Sequence, residues 1–299
     1  MNEVSFPTVL QPLSLDILSV QSQVIYGRVG NNVAVPALEA LGFAMAAVPT
    51  VVFSNTPHYP TMHGGVLPIE WFEGYLEDLS ERGALHALRA ILLGYLGNPR
   101  QADVLSRWAR ALQKERAGLR IVIDPVIGDH DHGIYVDPCL VDTYRRELLP
   151  LADGLTPNSF ELAQLTRLAV NDVESVVVAA RTLLTGRMQW VAVTSAAPDT
   201  CERDEMQVVL VTRTQAEVIT HPRVDATPKG TGDLFCAILT GYWVSGVGLA
   251  QAATQACQHV VQALRHTQQA QCAELLLPMA ESHDKPANDG TWVRRQVHL

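Results

Sequence analysis

Short apolar runs alternate along this chain with longer amphipathic stretches, and this alternation restricts the possible folds more than any other feature. Runs such as Ala90–Leu93 and Arg120–Ile123 are rich in aliphatic residues, which is typical of strands buried on both faces of a sheet. The stretches between such runs have helical periodicity. Repeated strand–helix–strand units connect through right-handed crossovers. The sequence therefore predicts an α/β protein whose mostly parallel sheet is covered by helices.

The predicted elements extend from residue 15 to residue 267. The predicted strands are Leu15–Val20, Ala46–Phe53, Ala90–Leu93, Arg120–Ile123, Trp190–Thr194, Gln207–Thr212 and Ala216–Thr220. The predicted helices are Asn32–Leu41, Pro68–Arg82, Arg100–Ala117, Pro138–Leu149, Ser159–Leu168, Val173–Leu184, Thr231–Val244 and Leu249–Thr267. Because a short connection separates the last two strands, we expect them to form an antiparallel hairpin.

The size and composition are those of one globular domain. The chain has 299 residues, of which 47% are hydrophobic and 18% are charged, so it can bury a large core. We expect the domain to occupy residues 14–282. The flanking segments 1–13 and 283–299 are rich in polar residues or contain helix breakers. We expect both to be flexible and the second to be dispensable for folding.

Charge, hydropathy and cysteine spacing disfavour several classes of protein. Lys and Arg number 22 and Asp and Glu number 31, and the resulting charge of −9 argues against nucleic-acid binding. No run approaches the roughly 18 apolar residues of a membrane span, and the first residues lack the basic region of a signal peptide. The five cysteines are widely spaced without a C-x-x-C pair. This disfavours disulfides and cysteine zinc sites and fits a reducing cytoplasm.

The segment Gly230–Asp233 is the strongest functional signal in the chain. Its two glycines let backbone N–H groups approach an anion, and the helix predicted to begin there adds unpaired donors. Two other phosphate motifs do not match. A P-loop needs a lysine after the glycines, but Lys229 precedes them, and Phe235 occupies the third-glycine position of a dinucleotide fingerprint. Asp233 alone is also compatible with an ordinary acid in a first helical turn.

Further motifs accompany this turn in a fixed order: Val20–Val24, Gly27–Asn31, Phe53–Thr56, Gly94–Tyr95, Asp124–Asp129 and Thr156–Asn158. With Gly230–Asp233 they resemble the ribokinase-like small-molecule kinases, and within them the pyridoxal kinases, over about residues 15–278. The segments Ser54–Tyr59 and Met206–Val209 resemble the bacterial enzymes that accept pyridoxine, pyridoxal and pyridoxamine. The resemblance implies a three-layer α/β/α ribokinase-like fold. It also implies transfer of the γ-phosphoryl group of ATP to the 5′-hydroxymethyl group of a B6 vitamer.

The resemblance also implies a role for individual residues. Asp233 would accept the proton of the alcohol, while Gly230, Thr231 and Gly232 would present N–H groups to the phosphoryl group. The vitamer would contact Ser22, Val29, His58, Tyr95 and Asp233. ATP would contact Asp124, Thr156, Glu161, Thr194, His221, Val224, Lys229 and Thr231. A divalent ion, Mg²⁺ or alternatively Zn²⁺, would lie near Asp124, Tyr135 and Glu161, and a monovalent cation such as K⁺ is a further option.

Some of these residues also have ordinary structural interpretations. Ser22 fits a turn serine, and Asn158 with Glu161 fits a capping box. The run Asp129–Gly133 alternates Asp with His and is compatible with a metal cluster. The alternative that we favour is a mobile, solvated polar flap, and the resemblance implies that this flap closes over the site and excludes water.

Two other functions remain open from the sequence. One is a hydroxymethylpyrimidine kinase of the same superfamily, and the other is a nucleotide-binding module without transfer activity. Gly94–Tyr95 and Ser54–Thr56 favour a B6 vitamer over a pyrimidine, and Asp233 argues against a pure binding module. The resemblance implies a cytoplasmic homodimer whose partners are ATP and a B6 vitamer, with no nucleic acid or membrane.

Overall fold

The computed structural model describes residues 11–278 and 292–297, in which strands and helices alternate as predicted. The strands are β1 (Ile17–Tyr26), β2 (Met45–Asn55), β3 (Gly64–Val66), β4 (Ala90–Leu93), β5 (Arg120–Ile123), β6 (Gly128–Asp129), β7 (Gly133–Ile134), β8 (Gly154–Leu155), β9 (Trp190–Val193), β10 (Glu205–Thr212), β11 (Ala216–Pro222) and β12 (Val293–Gln296). The helices are α1 (Asn31–Ala40), α2 (Ile69–Glu81), α3 (Pro99–Glu115), α4 (Pro138–Thr143), α5 (Ser159–Thr166), α6 (Val173–Leu183), α7 (Thr231–Val244) and α8 (Leu249–Gln269).

The central sheet has the order β12-β11-β10-β9-β8-β5-β4-β1-β2-β3. The run from β9 to β2 is parallel throughout, which confirms the prediction of a mostly parallel sheet. Antiparallel strands lie at both edges, and β10 and β11 form the predicted hairpin. Because β2 lies on one side of β1 and β4 on the other, the chain changes direction at β1. A crevice at the carboxyl end of such a strand is the usual ligand site of an open α/β sheet.

Helices cover both faces of the sheet, which confirms the three-layer α/β/α architecture. On one face, α1, α7 and α8 bury a core that includes Leu38 and Leu234. On the other, α2 to α6 bury a second core that includes Phe72, Leu105 and Leu162. Burial of these apolar faces is the main stabilising term of the fold. Within the described residues, no helix is both long and apolar enough to cross a membrane.

The predicted helix Pro138–Leu149 is interrupted. The α-helix ends at Thr143, and a π-helical turn, Tyr144–Leu148, and a short 3₁₀ turn follow. Tyr144 is fully buried, and its hydroxyl donates a hydrogen bond to the carbonyl oxygen of Gly94 over 3.1 Å. The change of winding thus coincides with a contact to the chain just beyond β4, which periodicity alone does not reveal.

The structure also differs from the predicted flexible C-terminal segment. Residues 293–296 form β12, which pairs with β11 from Glu217 to Thr220. An ion pair between Arg294 Nε and Glu217 Oε2, 3.2 Å apart, supports this pairing. A strand that contains Val293 and two arginines lacks the apolar alternation by which strands are predicted. Residues 1–10, 283–291 and 298–299 of the predicted termini lie outside the described residues, as do residues 279–282 of the predicted domain, and the boundaries at 14 and 282 stay predictions.

Candidate active site

A cavity of about 430 Å³ opens at the carboxyl end of β1, where the chain changes direction. It is lined by residues from the first strand, from the loops after β2 and β4, and from the turn before α7. The structure thereby brings together eight of the predicted site residues: Ser22, Val29, His58, Tyr95, Tyr135, Lys229, Gly230 and Asp233. Phe53, Met62 and Val126 add apolar surface to its wall. Phe53 and Val126 belong to motifs that the sequence had shown, whereas Met62 carried no signal.

The start of α7 forms one end of this cavity. Gly230 is the N-cap residue, with φ of 100° and ψ of 0°, a left-handed conformation that favours glycine. A Cβ atom at this position would also collide with the carbonyl oxygen of Arg28. Since Gly230 has no side chain to cap the helix, the first N–H groups of α7 are left for an anion. This arrangement is compatible with the predicted anion-binding turn, whose role stays a prediction.

Asp233 lies in the first turn of α7, is half-buried and lines the cavity. Its Oδ2 atom accepts a hydrogen bond from the backbone N–H of Gly30 over 2.9 Å. Burial raises the pKa of Asp233 above its ordinary value, and the Gly30 N–H group opposes this rise. A carboxylate with a raised pKa at a helix start is suited to accept a proton.

A second acidic group lies behind the turn. Asp124 follows β5 and is only 7% exposed, and its Oδ1 accepts a hydrogen bond from Thr156 Oγ1 over 3.0 Å. Its other oxygen, Oδ2, lies close to Gly232, since a Cβ atom at that glycine would be 3.6 Å from it. Burial raises the pKa of Asp124 well above its ordinary value, and the negative charges of Glu161 and Asp233 raise it further. Such accumulation of negative charge favours a cation at this place.

Glu161 is a third acid at this end of the site, is buried, and forms the predicted capping box. Asn158 Oδ1 accepts from the N–H of Glu161 over 2.8 Å, and Glu161 Oε2 accepts from the N–H of Asn158 over 2.9 Å. Glu161 Oε1 also accepts from the N–H of Ile127 over 2.9 Å. Burial raises the pKa of Glu161 to about 7, although these donors lower it. Glu161 therefore fixes the start of α5 and the chain before β6, and it adds negative charge beside Asp124.

The sequence comparisons identify relatives of the whole domain. The family model described as phosphomethylpyrimidine kinase matches residues 35–276. The pyridoxine/pyridoxal/pyridoxamine kinase of Bordetella bronchiseptica is 56% identical over 271 residues, which are 91% of this chain and 96% of that enzyme. The chain belongs to the pyridoxal kinase family.

More distant members of the pyridoxal kinase family also match this chain over nearly its whole length. The pyridoxal kinase of Corynebacterium diphtheriae is 30% identical over 88% of this chain and 93% of that enzyme. The crystal structure of pyridoxal kinase from Leishmania donovani in complex with ADP and pyridoxamine superposes with a TM-score of 0.84 at 25% identity, covering 95% of this chain and 100% of that chain. The ribokinase-like fold implied by the sequence motifs is thus confirmed.

Of the eight residues that the pyridoxal kinase resemblance assigned to ATP, Lys229 alone is among those that line the cavity. Thr194 follows β9, and its N–H donates to the carbonyl oxygen of Pro157 over 2.9 Å. His221 lies in β11, its ring centroid is 6.0 Å from that of Trp292, and burial lowers its pKa. Val224 follows β11. Thr194 lies directly after β9, His221 near the end of β11 and Val224 just beyond it, and none of them lines the cavity, so their ATP-binding role stays a prediction.

The run Asp129–Gly133 forms a hairpin, not a metal cluster. Strands β6 and β7 pair, and the His132 Nδ1 atom lies 2.8 Å from Asp129 Oδ1. His130 Nε2 lies 3.1 Å from Ser159 Oγ, away from that pair. No group of three His, Cys, Asp or Glu side chains in the described part of the chain is arranged to hold a metal ion. The hairpin borders the cavity through Asp129 and His132, as expected of a pyridoxal kinase flap, and its movement stays a prediction.

Proposed function

We propose that this protein transfers the γ-phosphoryl group of ATP to the 5′-hydroxymethyl group of pyridoxal, pyridoxine and pyridoxamine. The observation that carries the proposal is the position of Asp233, whose carboxylate lines the cavity beside the glycine turn of α7. The named activity of the Bordetella relative and the ADP and pyridoxamine of the Leishmania complex support it.

Asp233 acts as the general base. A primary alcohol is a weak nucleophile at neutral pH, so the hydroxymethyl proton passes to the Asp233 carboxylate as the alcohol oxygen bonds to phosphorus and ADP departs. The hydrogen bond from Gly30 to Oδ2 holds the carboxylate in place. Because burial raises the pKa of Asp233, its carboxylate is a stronger base than that of an exposed aspartate.

The backbone N–H groups of Gly230, Thr231 and Gly232 stabilise the negative charge of the phosphoryl group. Their N–H groups belong to the N-terminus of α7, where the helix dipole is positive. Preorganised N–H donors stabilise charge that develops during transfer without reorganising. Lys229, which lines the cavity, adds a cation on the phosphate side.

The acid pair Asp124 and Glu161, with Thr156 and Tyr135 close by, fits a divalent cation bound together with ATP. The pKa of Asp124 is raised partly by the charge of Glu161, and a cation would relieve that repulsion. Carboxylate and hydroxyl oxygens are the donors that Mg²⁺ prefers, whereas Zn²⁺ prefers nitrogen and sulfur, so we favour Mg²⁺. When bound, Mg²⁺ would offset the negative charge of the ATP phosphates. Measuring the activity at increasing K⁺ concentration would test whether the enzyme also needs a monovalent cation.

The remaining cavity wall suits a planar, mostly apolar ring with polar substituents. Val29 and Phe53 supply apolar surface, and Tyr95, whose pKa is raised by burial, supplies an aromatic face. Ser22 and His58 supply hydrogen-bonding groups. This mixture is typical of small-molecule sites in which a few polar groups fix the orientation of the ligand.

Phosphorylation of a pyrimidine alcohol is the second candidate, because the matching family model is described as phosphomethylpyrimidine kinase. Purified protein would be incubated with Mg–ATP and each B6 vitamer or hydroxymethylpyrimidine, and the products measured by mass spectrometry. We expect kcat/KM for pyridoxal to exceed that for the pyrimidine by about tenfold or more. The Asp233→Asn protein, prepared identically, controls for kinases of the expression host. Activity on the pyrimidine alone would reverse the assignment, and activity on neither would leave a nucleotide-binding module.

Two further proposals concern assembly and location. Ile25 and Tyr26 at the end of β1 and Trp71 on α2 are 77%, 60% and 60% exposed, and they lie towards the β3 edge of the sheet. Large exposed apolar side chains support a homodimer through this edge. Sedimentation analysis of wild type and Trp71→Glu would test it. The five free cysteines support a reducing compartment, consistent with the cytoplasm.

A further inference from the structure

Glu274 lies outside every predicted site motif, yet it contacts two walls of the vitamer cavity. It follows α8, and its side chain is almost completely buried, with 7% of the residue exposed. The segment that carries it is anchored to α8, since the N–H of Leu276 donates to Thr267 Oγ1 over 2.9 Å and Leu275 is fully buried. A buried carboxylate is costly unless hydrogen bonds satisfy it, so its partners indicate its role.

The two carboxylate oxygens of Glu274 bind to different segments. Oε2 accepts a hydrogen bond from the backbone N–H of Arg28 over 3.1 Å, in the loop after β1. Oε1 accepts one from the hydroxyl of Thr56 over 2.8 Å, in the loop after β2. The backbone pairing of these strands ends at Tyr26 and Asn55. Glu274 therefore joins the two segments directly after the last residue pair of β1 and β2, where backbone hydrogen bonds no longer hold them together.

Local geometry shows that this junction is closely packed. Gly27 has φ of 106°, and a Cβ atom there would contact the carboxylate of Glu274 and the methyl group of Thr56. Thr56 is fully buried. A side chain at Gly27 would therefore displace the carboxylate that joins the loops.

Each joined loop delivers a group to the cavity. The loop of Arg28 continues to Val29, which lines the cavity, and to Gly30, whose N–H holds Asp233. The loop of Thr56 continues to His58, whose Nδ1 lies 3.1 Å from Thr56 Oγ1 and whose Nε2 lies 3.5 Å from Glu274 Oε1. Thr56 and Glu274 thus contact opposite nitrogens of the imidazole ring and fix its position.

We infer that Glu274 is a positioning residue for the acceptor substrate: it joins the loops after β1 and β2 and thereby sets the width of the vitamer cavity and the orientation of His58. This inference rests on the proposed function. The partners of Glu274 are Arg28, Thr56 and His58, which lie on the expected vitamer side and not on the expected nucleotide side. Its loss therefore weakens binding of the acceptor and leaves binding of ATP unchanged.

The test compares Glu274→Gln and Thr56→Val with wild type. Glutamine keeps the shape but cannot accept from both Arg28 and Thr56 with the same strength, and valine keeps the shape of threonine without its hydroxyl. We expect each variant to raise KM for the preferred acceptor about tenfold or more, the effect of leaving a buried donor unpaired. KM for ATP should change less than about twofold. The double variant should be no worse than the more affected single variant, because both act through one junction. Glu147→Gln, an exposed pair partner of Arg110, is the matched control.

Hydrogen exchange provides a readout that does not need turnover. In Glu274→Gln, we expect faster exchange in peptides covering residues 26–31 and 56–63, with little change in α7 or β5. Equal rises in both KM values, uniform loss of protection, or a wild-type KM for the acceptor would overturn the inference. If Glu274→Gln does not fold, Thr56→Val alone decides between the same outcomes. If wild type phosphorylates no B6 vitamer, the proposed function is rejected. The exchange experiment would then still show whether Glu274 holds the two loops together.

Discussion

The backbone N–H of Gly30 donates a hydrogen bond to Asp233 Oδ2 over 2.9 Å, across 203 positions of sequence. The loop of Gly30 and the turn of Gly230 are also in steric contact, because a Cβ atom at Gly230 would meet the carbonyl oxygen of Arg28. The loop that lines the vitamer cavity therefore also holds the proposed base. Placement of the acceptor and of the proton acceptor is coupled through this contact.

Replacement of Asp233 by asparagine tests the general base. Asparagine keeps the size and can still accept from the Gly30 N–H, so the local structure should persist. We expect kcat to fall by roughly 10²–10⁴-fold, the usual contribution of a general base, while the Kd for ATP stays within about twofold of wild type. Steady-state kinetics and calorimetric titration with ATP measure these quantities. Asp103→Asn, at an exposed position of α3, controls for the change in net charge. Wild-type turnover in a folded Asp233→Asn protein would refute the assignment.

Gly230→Ala and Gly248→Ala form a matched pair at the starts of α7 and α8. At Gly230 the left-handed φ costs an alanine roughly 1–2 kcal/mol, and the collision with Arg28 adds to it. At Gly248, φ is −56° and no atom lies within 4 Å of the added Cβ. We expect Gly230→Ala to lower both Tm and kcat, and Gly248→Ala to cost less than about 1 kcal/mol. Thermal unfolding and turnover measurements check this, and equal effects at both glycines would contradict the geometry.

The raised pKa of Glu161 predicts how stability depends on pH. Folding raises this pKa from 4.5 to about 7, so the folded protein binds the proton more tightly than the unfolded chain. The stabilising contribution is complete below pH 4.5 and is lost as the pH rises through 7. We expect Tm of the ligand-free protein to fall between pH 5 and pH 8 on this account. Buried Asp124, whose pKa is also raised, contributes with the same sign.

Glu161→Gln isolates the contribution of this carboxyl group. Glutamine cannot titrate, so the decrease of Tm with pH should become smaller in the variant. Below pH 5 its Tm should nevertheless be lower than that of wild type, because an amide nitrogen cannot accept from Asn158 or Ile127. Calorimetric scans of both proteins at several pH values give the two slopes. Identical slopes would show that Glu161 does not have a raised pKa.

The residues that were predictable from the sequence carry short-range signals. Ala90–Leu93 and Arg120–Ile123 are aliphatic runs, and the structure forms β4 and β5 with these same bounds. The capping box of Asn158 and Glu161 is predictable from the sequence because its members are three residues apart. Glu274 was not predictable, because its partners Arg28 and Thr56 lie 246 and 218 positions away. Such contacts depend on how the elements pack, which periodicity does not specify.

Removal of residues 292–299 tests the part of the C-terminus that differs from prediction. Without β12, the edge of β11 loses its ladder partner, the ion pair between Arg294 and Glu217, and the stacking of Trp292 against His221. We expect Tm to fall by ~2–4 °C, which corresponds to about 1 kcal/mol in a domain of this size. The exposed edge of β11 should also promote association at high concentration, because unpaired strand edges are templates for further pairing. Differential scanning calorimetry and light scattering measure the two effects. Arg294→Ala is the control, since it removes the ion pair and keeps the strand, and it should change Tm by less than half as much. If the truncated protein unfolds at the wild-type temperature, β12 does not stabilise the sheet and the segment is dispensable after all.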